Sequence, residues 1–377
     1  MKKMIVFCSF LLFLSVIVPV EAISVSAGYA CLMDAQTGRV IYEKNAHARH
    51  SMASTTKIMT ALLALENTKM DDIVTVSPGA AGTEGSSIYL AAGEKLSMEE
   101  LLYGLMLQSG NDAAIAIAEH VGGSVEKFAE MMTARAEKIG AKNTAFQNPN
   151  GLDAPGHYTT AYDLALITRE ALSNPEFAEI VATKKKSYPA KDGKKARYFT
   201  NHNRLLSSYA GCIGVKTGYT KKTGRCLVSA ATKDNATLIC VTLNAPNDWQ
   251  DHSNLLDYGF SQTETKPLVL CDMVLKSIPV KNGKSKTLEL LAKDDFYFSD
   301  ARQEGLGKIQ LSYKLPKEIE APVTYGTNIG KLFVYYDKTL LKEIDLYAGV
   351  DIPYQEPPKP GFLENFQKLF ENLLHFV

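Results

Sequence analysis

The sequence lacks an excess of charge of either sign. Lysine and arginine together number 41, and so do aspartate and glutamate. A protein that binds nucleic acid usually carries a clear surplus of basic residues. The balance therefore gives no support to DNA or RNA as a partner.

Cysteine is scarce, and its spacing excludes the common metal sites. The six cysteines include no CxxC pair and no Cys/His pair at the spacing of a zinc site. Cys8 lies in an apolar leader, and the other five are a poor basis for a disulfide framework: Cys31, Cys212, Cys226, Cys240 and Cys271. Most lie in apolar, strand-like stretches, where we expect free buried thiols.

Long apolar runs are almost absent, and the one at the N-terminus is short for a membrane-spanning helix. It covers Met4 to Val18, follows Lys2 and Lys3, and is broken by Pro19. A small-residue cleavage pattern follows, so we expect a signal peptide over residues 1–22. The alternative is an uncleaved membrane helix, and either implies export.

The C-terminal residues 353–377 contain a second membrane signal. Pro353 to Pro360 holds four prolines and is typical of a stiff linker. Beyond it, apolar residues share one helical face: Phe362, Phe366, Leu369, Phe370, Leu373 and Val377. The segment is too short and too polar to span a bilayer, so we expect an amphipathic helix in the membrane interface. The alternative is a helix packed on the protein's own core.

The length of 377 residues suits two domains, and the hydrophobic patterning changes near residue 265. In the first domain strands are predicted at both ends: Ala27–Asp34, Arg39–Glu43, Gly214–Gly218, Arg225–Thr232 and Ala236–Asn244. Helices are predicted mostly between them: Ser54–Glu66, Ser97–Leu107, Asp112–Val121, Val125–Ile139, Thr160–Ala171 and Asp251–Tyr258. The pattern predicts an α+β domain, an antiparallel sheet covered by helices on both sides.

Residues 265–352 contain short strand candidates separated by turns: Val269–Leu275, Lys286–Leu291, Asp294–Phe298, Ile309–Tyr313, Lys331–Tyr336 and Leu341–Leu346. They predict a small all-β domain. No cluster of titratable residues stands out there, so we assign it no chemistry.

Ser54 and Lys57 are three residues apart at the start of a predicted helix and therefore share one face. A lysine is a poor base at its ordinary pKa. Burial, a helix N-terminus and a nearby cation each favour the neutral amine, which could take the proton of Ser54. The Ser54 backbone N–H is a possible oxyanion donor. Alone, Ser-x-x-Lys is common by chance.

Two further motifs follow in order. Ser109-Gly110-Asn111 lies between two predicted helices and offers a hydroxyl and an amide. Lys216-Thr217-Gly218 ends a predicted strand whose edge could pair with an extended peptide, the glycine permitting close approach. Each motif alone is an ordinary turn. No histidine is needed as the base, and we expect His120, His157, His202 and His252 to be structural.

Together the three motifs resemble the signature of penicillin-binding proteins and class A β-lactamases. The chain is most similar to low-molecular-mass penicillin-binding proteins, the serine D-alanyl-D-alanine carboxypeptidases of Gram-positive type. Further landmarks extend the resemblance over about residues 25–260: Asn148–Leu152, Thr159–Ala165, Asn201–Leu206 and Gly214–Thr220. The β domain and the tail also look like the family's usual arrangement. The resemblance implies a transpeptidase-like peptidase domain over residues 23–264.

The resemblance implies a role for each motif residue. Ser54 would be the acylated nucleophile and Lys57 its general base, while Ser109 and Asn111 shape the proton path. Lys216 and Thr217 would bind the substrate carboxylate, beside Gly218, and the N–H groups of Ser54 and Tyr219 would form the oxyanion hole. The implied substrates are peptidoglycan stem peptides, with β-lactams as inhibitors. No cofactor or metal is implied, and the site of action is the outer face of the cytoplasmic membrane or the cell wall.

One segment departs from the family pattern. Many relatives have an arginine or lysine before the last helix of this domain, where this chain has Asn247-Asp248-Trp249-Gln250-Asp251. Arg225 could replace it in binding the carboxylate, or it could be a solvated strand residue.

Three other functions remain open. A D,D-endopeptidase performs the same acyl transfer with a larger leaving group. A class A-like β-lactamase needs a glutamate to activate water, and residues 146–160 contain only Asp153 as an acidic residue. A catalytically idle penicillin-binding sensor or scaffold is the non-enzymatic alternative.

Overall fold

A computed structural model describes residues 23–190, 196–301 and 305–356. The predicted signal peptide and the predicted amphipathic helix lie outside the described residues. Within these three ranges, no helix combines the length and apolar character that crossing a membrane requires.

The first domain is built on a five-stranded antiparallel sheet in the order β2-β1-β9-β8-β7. Its strands are β1 (Tyr29–Asp34), β2 (Val40–Lys44), β7 (Cys212–Thr220), β8 (Gly224–Lys233) and β9 (Ala236–Leu243). Two short hairpins pair β3 (Ile73–Thr75) with β4 (Lys95–Ser97), and β5 (Lys185–Tyr188) with β6 (Arg197–Thr200). Strands from the two ends of the domain pair directly, with Cys31 opposite Val241. The predicted antiparallel sheet is therefore confirmed, and the two small two-stranded sheets are additional to it.

Helices surround this sheet: α1 (Lys57–Asn67), α2 (Pro78–Ala81), α3 (Met98–Leu107), α4 (Asn111–Gly122), α5 (Val125–Ile139), α6 (Ala161–Leu172), α7 (Pro175–Ala182), α8 (Leu205–Ser208) and α9 (Asp248–Ser261). Successive side chains of a strand point to opposite faces of its sheet. In β1, Cys31 and Met33 join the core with α1, α3 and α4, whereas Ala30 and Leu32 join Leu255 and Leu256 of α9. Helices therefore cover both faces, as predicted.

Several boundaries and small elements differ from the prediction. A 3₁₀ turn over Ala53–Thr56 precedes α1, so Ser54 lies before the α-helix rather than in it. Helix α9 begins at Asp248, three residues earlier than expected. Helix α7 was missed, although Asn174 caps it and Pro175 occupies its first turn. The β5–β6 hairpin was missed because β5 is short and begins with two lysines.

The second domain is all β, as predicted. Its strands are β10 (Thr263–Val269), β11 (Val274–Lys281), β12 (Thr287–Ala292), β13 (Phe296–Ala301), β14 (Ile309–Lys314), β15 (Ile319–Glu320), β16 (Asn328–Tyr336) and β17 (Thr339–Ala348). The prediction of one strand across Val269–Leu275 was wrong, since β10 ends at Val269 and β11 begins at Val274. Asp272 in the intervening turn has a left-handed φ of 64°.

A buried polar contact joins the two domains at the end of β1. Ser299 donates from its hydroxyl to Asp34 Oδ2, and its amide donates to Gln36 Oε1. The Gln36 amide donates to the carbonyl of Tyr297. Burial raises the pKa of Asp34. The hydroxyl of Ser299 and both the hydroxyl and the amide of Thr37 donate to this carboxylate, and these hydrogen bonds partly offset the effect of burial.

Candidate active site

The side chains of Ser54 and Lys57 meet at the start of α1. Lys57 Nζ donates to Ser54 Oγ at 3.0 Å, and Lys57 is 0% exposed. Two more acceptors hold the same nitrogen, Asn111 Oδ1 at 2.7 Å and the carbonyl of Asn150 at 2.6 Å. A buried amine with three oxygen partners is fixed in position beside the hydroxyl.

The environment of Lys57 favours its neutral form. Burial lowers the pKa of Lys57 well below its ordinary value, and the nearby Lys216 ammonium lowers it further. Asp112 acts in the opposite direction, as a carboxylate that favours the charged amine. In the neutral form, the two N–H bonds of Lys57 can go to Asn111 Oδ1 and the Asn150 carbonyl, which leaves the nitrogen lone pair to accept the proton of Ser54.

The Ser109-Gly110-Asn111 segment connects α3 and α4 and brings its polar groups to the same place. Ser109 is buried and has a left-handed φ of 61°. The side-chain amide of Asn111 makes two hydrogen bonds. Its Oδ1 accepts from Lys57, and its Nδ2 donates to the carbonyl of Glu84 at 2.7 Å. Asn111 therefore links the buried lysine to the loop that forms one wall of the cleft.

Strand β7 is the edge strand of the sheet and passes directly in front of Ser54. A Cβ added to Gly218 would lie 3.1 Å from the amide nitrogens of both Ser54 and Thr55. Only glycine lets the strand come this close without displacing the backbone. The free edge of β7 can therefore pair with an extended peptide beside the hydroxyl.

Lys216 is buried behind this strand edge. Its Nζ donates to the carbonyl of Thr217 at 2.9 Å, and burial lowers the pKa of Lys216 to about 7. Burial makes the charged form of Lys216 costly, so an anion in the cleft would stabilise that form.

Arg225 lies on β8, directly opposite Tyr219 in the sheet. Its Nε donates to Asp248 Oδ1 at 3.2 Å. The Asp248 side chain is buried, whereas about half of the Arg225 side chain is exposed. Asp248 therefore fixes a guanidinium that is accessible to a ligand.

These elements enclose a cleft of about 550 Å³. Six of the predicted residues line it: Ser54, Ser109, Thr217, Gly218, Tyr219 and Arg225. The other three, Lys57, Asn111 and Lys216, are buried. Among the described residues, no group of three His, Cys, Asp or Glu side chains converges as a metal site would require.

Comparison with known proteins agrees with this geometry. A sequence model of the D-alanyl-D-alanine carboxypeptidase family, peptidase family S11, matches residues 17–247. The chain belongs to this family. A second model, the C-terminal domain of penicillin-binding protein 5, matches residues 264–354.

Individual relatives match over most of their length. The chain is 36% identical to D-alanyl-D-alanine carboxypeptidase DacF of Bacillus subtilis, over 89% of this chain and 86% of that protein. It is also 36% identical to DacC of Escherichia coli, over 83% and 81%. The structure of penicillin-binding protein 5 from Haemophilus influenzae aligns with a TM-score of 0.63 and 29% identity, covering 89% of this chain and 99% of that one.

Sequence reasoning missed several residues of this candidate site. His202, expected to be structural, lines the cleft with Arg204 and Trp249. Burial and the Lys216 ammonium lower the pKa of His202. His202 and Arg204 lie within the family landmark Asn201–Leu206, which could have indicated both. The carbonyl of Asn150 carries no side-chain signal.

Asp112 was predicted only as the first residue of a helix, and its side chain has a further role in the structure. Its carboxylate accepts from the amides of Ile88 and Leu90 and from the hydroxyl of Ser87. It therefore fixes the loop that Asn111 also contacts.

Proposed function

We propose that the chain is a serine-type D-alanyl-D-alanine carboxypeptidase whose nucleophile is Ser54. The supporting observation is the buried Lys57 amine, 3.0 Å from Ser54 Oγ and held by Asn111 and Asn150. The neutral amine takes the Ser54 proton while Oγ attacks the carbonyl of the penultimate D-alanine. The proton then passes to the nitrogen of the last D-alanine, with Ser109 shaping the path. The C–N bond breaks, D-alanine leaves, and water hydrolyses the acyl-enzyme.

The terminal carboxylate and the developing oxyanion have separate partners in this proposal. Lys216, Thr217 and Arg225 bind the carboxylate, because Thr217 and Arg225 line the cleft and Lys216 is the buried neighbour of Thr217 on β7. The amides of Ser54 and Tyr219 donate to the oxyanion, on either side of Gly218. No cofactor takes part. β-Lactams would acylate the same serine.

The reaction is tested with a disaccharide-pentapeptide muropeptide and chromatographic detection of D-alanine. Wild type should shorten the pentapeptide to a tetrapeptide, and Ser54→Ala should abolish this release. Persistent release by Ser54→Ala would exclude the mechanism. An absence of release by wild type, with covalent penicillin binding retained, would favour an idle sensor.

Endopeptidase activity is a second candidate, favoured by one observation. A cavity of about 530 Å³ shares Arg204, Arg225, Asp248 and Trp249 with the catalytic cleft. Since Arg225 would hold the leaving-group carboxylate, this cavity offers room for a leaving group larger than D-alanine. Cleavage of a cross-linked muropeptide dimer tests it.

A class A-like β-lactamase has less support. Asp153, the only acidic residue of the segment 146–160, has its Oδ1 within 3.2 Å of the hydroxyls of Thr220 and Thr223, both of which can donate to it. It is thus engaged with the β7–β8 turn, and slow hydrolysis of a bound penicillin is the expected outcome.

We also propose that residues 23–264 form the peptidase domain and residues 265–352 the β domain of an exported enzyme. Residues 1–22 would direct export, and residues 353–377 would hold the enzyme on the outer face of the cytoplasmic membrane. Truncation after Glu356 should release the protein into the soluble fraction with its penicillin binding intact. Retention on membranes after truncation would contradict the anchor.

A further inference from the structure

Tyr89 is displayed on the surface by a loop that is otherwise firmly held. Its side chain is 86% exposed, and its backbone has a left-handed φ of 60°. Bulky residues rarely adopt this conformation, and such strain often marks a functional position. The flanking amides of Ile88 and Leu90 both donate to the buried Asp112 carboxylate. An exposed aromatic ring is therefore pre-positioned.

A second exposed ring is held beside the same loop. Tyr198 on β6 is 75% exposed. Its neighbour Arg197 is buried and donates to the carbonyl of Ile88 at 2.5 Å and to Glu94 at 2.6 Å. Arg197 thus ties the strand that carries Tyr198 to the loop that carries Tyr89.

Between these elements lies a cavity of about 270 Å³, here called the tyrosine cavity. It is lined by Ser87, Ile88, Tyr89, Gln108, Ala196, Arg197, Tyr198 and Phe199. Ser87 directly follows Ser86 in the chain, and Gln108 directly precedes Ser109. Ser86 and Ser109 line the catalytic cleft. Two chain segments therefore contribute neighbouring residues to the tyrosine cavity and to the cleft.

The chemistry of the cavity suits a neutral ligand with both apolar and polar faces. Arg197 is the one charged side chain among its described lining residues, and its guanidinium is already paired with Glu94 and the Ile88 carbonyl. The remaining groups are two phenol rings, an amide and a hydroxyl. A sugar ring stacks its apolar C–H face on an aromatic ring and hydrogen-bonds through its hydroxyl and acetamido groups.

We propose that the tyrosine cavity binds an N-acetylated amino sugar of the glycan strand that carries the stem peptide. This inference rests on the proposed function, because it takes the substrate to be peptidoglycan. The stem bears carboxylates and amines, and among the described lining residues only Arg197 carries a charge, which is already paired with Glu94. Four residues between the scissile carbonyl and the sugar span up to about 14 Å. Tyr89 is three residues from Ser86 of the cleft, at most about 11 Å along the chain.

The test compares kcat/KM for D-alanine release from two substrates, a disaccharide-pentapeptide and the same pentapeptide without sugar. Wild type should prefer the first. Tyr89→Ala and Tyr198→Ala should each lower kcat/KM roughly threefold to tenfold for that substrate and leave the free pentapeptide unchanged. Tyr89→Phe should retain wild-type values, because stacking requires the ring. Tyr325→Ala, at an exposed tyrosine of the second domain, is the matched control.

Equal losses on both substrates would show that the rings bind peptide or shape the cleft, and would overturn the sugar assignment. Unchanged values on both substrates would overturn it as well. Failure of the proposed function is distinct, since wild type would then release D-alanine from neither substrate. The surface is tested in that case by calorimetric binding of the peptide-free disaccharide to Ser54→Ala protein. Binding that Tyr89→Ala weakens supports the proposal, and no binding overturns it.

Discussion

Gly218 faces Ser54 so closely that a Cβ on Gly218 would lie 3.1 Å from the Ser54 amide nitrogen. The same atom would lie 3.2 Å from the carbonyl of Met52, so it would meet backbone on two sides. Backbone of this kind cannot move aside as a flexible side chain would. The distance between strand β7 and the nucleophile is therefore set by the absence of a side chain at one position.

Gly218→Ala should slow acylation more than it affects folding. The methyl group would push β7 away from Ser54 and misalign the two proposed oxyanion donors, for a loss of about tenfold to a hundredfold. Stopped-flow acylation by a fluorescent penicillin measures the rate. Gly307→Ala, at a glycine whose Cβ would enter open space, should be silent. An unchanged rate in Gly218→Ala would contradict the close approach.

The pH dependence of kcat/KM should have a falling limb that belongs to Lys216. The pKa of Lys216 is about 7, so its charge is lost as the pH rises through that value. Carboxylate binding should weaken over the same range. Lys216→Arg keeps a positive charge throughout, so the limb should move to higher pH. Lys233→Arg is the control, and its falling limb should stay in place. If the limb also stays in place in Lys216→Arg, the falling limb belongs to another group.

Arg225→Ala and Asp248→Asn should separate binding from positioning. Removing the guanidinium should raise KM for a D-Ala-D-Ala peptide about tenfold with little change in kcat. Asp248→Asn keeps the guanidinium and loses its partner, so the increase in KM should be smaller. Lys233→Ala, at the opposite end of β8, is the control. A wild-type KM in Arg225→Ala would return Arg225 to the role of a solvated strand residue.

Ser299→Ala should destabilise the contact between the two domains. The change leaves Asp34 Oδ2 buried without its donor, at a cost of about 1–3 kcal/mol in the free energy of unfolding. Urea denaturation measures it. Ser312→Ala, at an exposed serine of β14, should stay within about 0.5 kcal/mol of wild type. An equally small change in Ser299→Ala would show that water replaces the hydroxyl.

Periodicity and capping were enough to predict most of the first domain. Helix α3 begins with a capping box formed by Ser97 and Glu100, and Thr160 is the N-cap of α6, each at the start of a predicted helix. The β5–β6 hairpin was missed because β5 is short and charged, and α7 was missed although Asn174 caps it. The turn at Asp272 was hidden because apolar residues flank it on both sides.

The candidate site was predictable where side chains of distinct chemistry lie in short motifs. Ser54, Lys57, Asn111 and Lys216 are of this kind. The third partner of Lys57 is a backbone carbonyl, which no residue type reveals. Asp248 and Trp249 reach the cleft only because α9 begins earlier than its pattern indicated. Long-range packing decides such positions.

The most direct test of the account is intact-mass analysis after incubation with benzylpenicillin, with the adduct mapped to a peptide. The account predicts a single penicilloyl adduct on the peptide that contains Ser54, no adduct in Ser54→Ala, and acylation slowed by orders of magnitude in Lys57→Ala. An adduct on another residue, or an undiminished acylation rate in Lys57→Ala, would contradict the claim that the buried Lys57 amine activates Ser54.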